Sequence, residues 1–167
     1  FAFARPFFDV AGIDPSPRSA IQSVVLLLDT SASLQRAGLW NEALRRAEAL
    51  LARCRPQDAT AILAFDDTVR PLLTFAEWRQ MEPGARFEEA RQRIRRLAPG
   101  WGGTHLDRAL IQAAESLSEI TSPSAGTRRI VVITDLQEGS YRQGLQGFTW
   151  PRQAQVTFDT LNARPPG

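Results

Sequence analysis

The stretch Val24-Val25-Leu26-Leu27-Leu28-Asp29-Thr30-Ser31-Ala32-Ser33 runs from unbroken aliphatic side chains into one carboxylate and three hydroxyls. Two later stretches offer the same kind of oxygen. They are Gly102-Gly103-Thr104, and the Thr134-Asp135 that ends Ile130-Val131-Val132-Ile133. Carboxylates and hydroxyls without His or Cys are hard donors, suited to Mg²⁺, Mn²⁺ or Ca²⁺. Mg²⁺ keeps several waters and leaves positions open to an outside ligand. The chemistry on offer is therefore cation binding, provided the three stretches meet.

Taken singly, each has a plainer explanation. Thr104-His105-Leu106-Asp107 fits a helix N-cap with an acid three residues on. Ser31 and Ser33 fit turns or caps, and Asp135 fits a strand-to-helix turn. Asp66-Asp67 reads as a hairpin turn, His105 as a first-turn helix residue and Trp101 as a packing residue. The glycines before Thr104 are better explained by a backbone passing close to a ligand than by capping alone.

Several other chemistries are excluded by composition. The sequence contains no lysine, which removes a Walker-type phosphate loop and a Schiff-base enzyme. One Cys (Cys54) and one His (His105) cannot supply the three or four N/S ligands of a zinc site. A Mg²⁺-dependent phosphoryl hydrolase using Asp29 as nucleophile would want a second acid two residues on, where Ser31 stands, and a cationic phosphate clamp. The net charge of +2 is small, and no nucleic-acid partner is expected. No stretch reaches the roughly 18–20 apolar residues of a membrane-spanning helix.

The elements that would carry these residues follow from periodicity. A short continuous apolar run is the mark of a strand buried on both faces. Such runs are Val24–Asp29, Thr60–Phe65 and Arg129–Thr134, with a weaker strand at Gln155–Phe158. Val69–Phe75 follows its predecessor through a tight turn, hence antiparallel, and Pro71 confines it to an edge. Helices are expected at Trp40–Arg55, Arg86–Leu97 and His105–Glu119. Their apolar stripes are Trp40/Ala43/Leu44/Ala47/Leu50/Leu51/Cys54, Phe87/Ala90/Ile94/Leu97 and Leu106/Ala109/Leu110/Ala113/Leu117/Ile120. Cys54 lies on its stripe and is read as core. The other face of the second helix carries Arg86, Arg91, Arg93, Arg95 and Arg96, read as solvated rather than as a site for an acidic partner or anionic lipid.

Strands alternating with helices imply an α/β, doubly wound, mostly parallel sheet with an antiparallel edge strand and helices on both faces. If residues 76–85 add no net reversal, chain direction brings Asp29, Ser31, Ser33, Thr104 and Asp135 to one edge. In such folds that edge, at the carboxyl ends of the strands, is where ligands bind.

The ordered set of Asp-x-Ser-x-Ser ending a strand, Gly-Gly-Thr opening a helix and Thr-Asp ending a later strand resembles the von Willebrand factor A-type, or integrin I-like, domain. Its metal-ion-dependent adhesion site is matched by Asp29, Ser31, Ser33, Thr104 and Asp135. The resemblance spans roughly residues 21–160 and implies the Rossmann-like von Willebrand A fold. It also implies a divalent cation, Mg²⁺ or alternatively Mn²⁺ or Ca²⁺, that recruits a Glu or Asp carboxylate of a protein partner without turnover. In the family the hydroxyls coordinate while the aspartates act largely through water, which keeps the cation electrophilic. A metal-free structural interaction module is the remaining alternative.

Ile133-Thr134-Asp135-Leu136-Gln137, with Ala4-Arg5-Pro6 upstream, looks more specifically like bacterial membrane-anchored members such as aerotolerance-operon proteins. In these a pair of transmembrane helices precedes the A domain. Residues 1–20 are accordingly expected to be a membrane-proximal segment and linker, 21–160 the domain and 161–167 a tail. The first eight residues suit a partly ordered terminus better than a stray strand or the end of a membrane helix. Attachment to a bacterial inner membrane, on either side, would run through segments beyond this chain. The chain starts at Phe1 rather than Met and shows no last helix of the family fold. It is therefore expected to be a piece of something longer, truncated in its C-terminal part, with any ligand-linked switch in question.

Overall fold

A computed structural model of the chain describes residues 21–36, 38–120, 126–135 and 154–161, together with the backbone of 7–9. Its strands are β1 (Phe7–Asp9), β2 (Gln22–Asp29), β3 (Ala59–Phe65), β4 (Val69–Leu73), β5 (Thr127–Thr134) and β6 (Ala154–Thr160). The α-helices are α1 (Leu39–Ala52), α2 (Phe75–Gln80), α3 (Arg86–Arg95) and α4 (Leu106–Ser118). The strands form one sheet in the order β1-β6-β5-β2-β3-β4. All neighbours are parallel except β3 and β4. The expected α/β architecture with an antiparallel edge is the one observed.

Strand β2 lies between β3 and β5, with Asp29 opposite Phe65 and Leu28 opposite Ile133. Its side chains alternate between two cores, as the two-residue period of a strand requires. Val25 and Leu27 pack with Leu106, Leu110 and Leu117 of α4. Val24, Leu26 and Leu28 pack with Leu39, Ala43, Ala47 and Leu51 of α1 and with Ala90 and Ile94 of α3. From β2 the chain steps to one side to reach β3 and later returns to the other side to form β5. The strand order therefore reverses at β2, the position at which a crevice opens beyond the carboxyl ends.

Several local expectations are corrected. The edge strand ends at Leu73, and Phe75 instead opens α2. Thr74 and Glu77 form a reciprocal capping box there, a T-x-x-E signal present in the sequence. Phe87 is not core but 38% exposed, because Ala90 and Ile94 already fill the α3 seam. The C-terminal strand is longer than Gln155–Phe158 and is paired on both sides, by β5 and by β1. Strand β1 thus draws part of the presumed linker into the sheet; residues 10–20, like 162–167, lie outside the described residues. Among the described residues no helix is long and apolar enough to cross a membrane.

The far end of the sheet is locked by Asp58. It accepts from Gln22 N (3.0 Å), Arg55 N (3.0 Å) and the Arg55 guanidinium (3.0 and 3.2 Å). Burial opposes its ionisation, yet the Arg55 and Gln22 hydrogen bonds prevail and hold its carboxyl below the ordinary value. A depressed folded value contributes stability above the unfolded pKa of about 3.9, lost as pH falls through the folded one. Asp58→Ala strands two backbone donors and should cost about 1.5–3 kcal/mol at pH 7 in urea unfolding. The gap between variant and wild type should narrow below about pH 4.

Candidate functional site

At the top of β2 the chain leaves the sheet through Thr30 and Ser31 into a short 3-10 turn, Ala32–Gln35. Asp29 is fully buried, and both its oxygens are engaged. Oδ1 accepts from Ser31 N at 2.8 Å, and Oδ2 accepts from Thr134 Oγ1 at 2.7 Å. The second bond ties the end of β2 to the end of β5. Ser33 Oγ donates to Asp135 Oδ1 at 2.9 Å. The Ser31 and Ser33 hydroxyl oxygens lie 3.0 Å apart. Asp29, Ser31, Ser33 and Asp135 thus form one polar cluster across two neighbouring strand ends.

Thr104 reaches the same rim through its backbone neighbours. Ala32 N donates to Gly102 O (3.1 Å), Gly100 N to Thr30 O (2.9 Å) and His105 N to Asp66 O (2.8 Å). The N-cap explanation of Thr104 does not hold. His105 occupies the cap position of α4, and no side chain caps that end. The half-buried Thr104 hydroxyl makes no hydrogen bond among the described residues. Of the two glycines before it, Gly102 has a packing reason, since a Cβ there would lie 3.0 Å from the Asp67 carboxyl. Gly103 has none, since a Cβ there meets nothing within 4 Å.

Residues given no role in the sequence analysis hold this rim together. Asp66 is 6% exposed and accepts from Thr68 N (2.9 Å), Thr68 Oγ1 (3.2 Å) and Arg70 Nη2 (3.3 Å). The Thr30 hydroxyl lies 3.2 Å from Phe65 O and 3.4 Å from Asp66 Oδ2, and it accepts from Arg70 Nη2 at 3.1 Å. Asp66 therefore joins the loops after β2, after β3 and before α4. Trp101, expected to pack, is 89% exposed. The Arg-rich face of α3 is solvated and laced with ion pairs. Arg91 and Arg95 pair with Glu48, and Arg93 pairs with Glu77 and Glu89. Cys54, half-buried with its Sγ 3.3 Å from Thr60 Oγ1, has its thiol pushed up by burial, as befits a packing residue.

The donor set suits a hard cation. The Ser31, Ser33 and Asp135 oxygens are joined in a chain by contacts of 3.0 and 2.9 Å, and oxygens of this kind are ligands for hard cations. Among the described residues no three His, Cys, Asp or Glu cluster, so such a site would be rich in hydroxyls and low in charge.

The sequence profile of the von Willebrand factor type A domain matches residues 24–139, most of the chain. The chain belongs to that family. Solved structures agree on the fold of this A domain. The von Willebrand domain of the type V pili tip protein from Porphyromonas gingivalis is 21% identical with a TM-score of 0.58, covering 70% of this chain and 38% of that one. A von Willebrand factor type A protein from Catenulispora acidiphila is 16% identical with a TM-score of 0.61, covering 84% and 33%. An aerotolerance-related membrane protein from Bacteroides fragilis is 20% identical with a TM-score of 0.58, covering 83% and 66%. The A domain spans only a fifth to two thirds of the length of the structures it matches. Comparison with curated proteins finds no match.

Burial raises the Asp29 carboxyl above its ordinary value against the pull of the Thr134 and Ser31 hydrogen bonds, and the nearby Asp135 charge adds to the rise. A raised folded value means stability that is present below about pH 3.9 and lost as pH climbs through the folded value. In cation-free buffer at pH 7, Asp29→Asn should therefore melt at or above wild type. The difference should be about 2–4 °C per kcal/mol relieved and should vanish toward pH 3. Asp66 has the opposite sign. Burial would raise it, but the Thr68 bonds and the Arg70 charge hold it low, so its contribution is lost on acidification. Asp66→Ala should cost about 1–3 kcal/mol at pH 7 by urea unfolding.

Proposed function

We propose that this A domain is a divalent-cation-dependent protein-recognition module. Asp29, Ser31, Ser33, Thr104 and Asp135 would hold the cation, Mg²⁺ or alternatively Mn²⁺ or Ca²⁺. The observation that carries the proposal is that Ser31, Ser33 and Asp135, from two separate strand ends, meet in one chain of oxygens beside the buried Asp29. When bound, the cation supplies a Lewis-acid position open to a partner's Glu or Asp carboxylate. Serine and threonine hydroxyls donate no net charge, and Asp29 is already committed to Ser31 N and Thr134 Oγ1. Much of the cation's charge is thereby left for the incoming carboxylate.

Association without turnover is part of the proposal. Its support is that Ser31 stands where an Asp29 nucleophile would want a second acid, and that the sequence has no lysine for a phosphate clamp. Shared fold with the aerotolerance-related membrane protein of B. fragilis supports attachment to a bacterial membrane as part of the proposal, through segments outside this chain.

Calorimetric titration with MgCl₂ and MnCl₂ tests the reading. Wild type should bind one cation, with Asp29→Ala at least tenfold weaker, and equal binding by the two proteins would overturn it. Saturating cation should also raise the melting temperature of wild type but not of Asp29→Asn, by linkage of binding to folding. Hydrolysis of p-nitrophenyl phosphate that needs Mg²⁺ and disappears in Asp29→Ala would replace recognition with catalysis.

A further inference from the structure

Trp101 is the most exposed large apolar side chain among the described residues, at 89%. An indole buries more apolar area than almost any other side chain and is normally found packed. This one stands on a braced loop. Gly100 is held at both backbone atoms, its N donating to Thr30 O at 2.9 Å and its O accepting from Gln35 Nε2 at 2.7 Å. On the other side Gly102 O accepts from Ala32 N at 3.1 Å. Both residues flanking Trp101 are therefore tied to the loop after β2. Ala32 is also the residue between Ser31 and Ser33, so a single hydrogen bond separates the hydroxyl pair from the neighbour of the indole.

The glycines add a second feature. Trp101 is preceded by Gly100 and followed by Gly102 and Gly103, so no adjacent side chain of its own loop can shield the ring. Space beside Gly103 is open, since a Cβ there would meet nothing within 4 Å. An aromatic that is exposed, unshielded and held by a pinned backbone has the makings of an interface anchor. Little ordering remains to be done on binding, and such residues dominate measured interface energies.

We propose that Trp101 is the specificity-determining contact of this domain, taking an apolar side chain of the protein segment whose carboxylate enters the site. This rests on the cation-dependent reading above and names the partner more narrowly. The segment carries an Asp or Glu with an aliphatic or aromatic residue within two positions of it. The close spacing reflects the backbone: Ala32 N and Gly102 O, 3.1 Å apart, set the chain beside Trp101 against the chain between Ser31 and Ser33. The acid supplies the link to the cation, and the apolar neighbour distinguishes one acidic segment from another.

The test uses a random peptide library displayed on phage, selected on the immobilised domain in MgCl₂. Enriched peptides should pair an acid with an apolar residue at the stated spacing. Their synthetic forms should bind Trp101→Ala at least tenfold more weakly than wild type. Mn²⁺ affinity and melting temperature of that variant should stay at wild-type values, because the side chain lies outside the core. Binding to Trp101→Ala within twofold of wild type, or no enrichment at all, overturns the proposal. Peptides that ignore EDTA and Ser33→Ala yet still require Trp101 would keep the indole surface and remove the cation. Concentration-dependent dimerisation in sedimentation, abolished by Trp101→Ala, would assign the indole to a second copy of the chain and overturn it.

Discussion

A carboxylate at the end of a strand buried on both faces is an expensive thing to ionise, and the top of this domain is built around that cost. Asp29 has no exposure, and the donors that reach it, Ser31 N and Thr134 Oγ1, come from the next turn of its own chain and from the adjacent strand. Those bonds do not fully offset desolvation, and its carboxyl stays raised. Elsewhere in the molecule buried acids are settled by cations of the chain itself, Asp58 by Arg55 and Asp66 by Arg70. Among the described residues Asp29 has no such partner in its hydrogen-bonding shell.

The topology explains why one such residue can organise three loops. Reversal of strand order at β2 leaves its carboxyl end flanked by β3 on one side and β5 on the other. The loop before α4 is bonded to the loops after β2 and β3, at Thr30 and Ala32 and at Asp66. The cluster is thus held by backbone contacts between loops as much as by its side chains. Residues far apart in sequence, Ser33 and Asp135 among them, come within hydrogen-bonding distance without any long side chain.

Much of this was legible in the sequence because it rests on residue type at strand ends. Buried runs announce parallel strands, and an oxygen-bearing residue directly after such a run has nowhere to go but the rim. That logic located Asp29, Ser31, Ser33 and Asp135. It noted Thr134 beside Asp135 but gave it no role, because a threonine at the end of a strand looks like an ordinary β-former and its hydroxyl's partner lies on a different strand. Asp66 was read as a turn residue, and it is one, bonding Thr68 two residues on. What periodicity cannot carry is that its backbone oxygen also anchors His105. Trp101 and Phe87 were misplaced for a related reason. Hydrophobicity says that a side chain prefers burial, but not whether neighbouring backbone bonds or a filled seam deny it a place.

The two edges of the sheet carry a consequence for how the molecule can meet others. On one side β4 has Pro71, which has no N–H to offer, and Arg93 Nη1 occupies the Leu72 carbonyl at 3.1 Å. On the other, β1 spans Phe7–Asp9 among the described residues. Short, proline-bearing or capped margins are poor templates for adding a foreign strand. Many copies could therefore be crowded together without zipping into a continuous sheet.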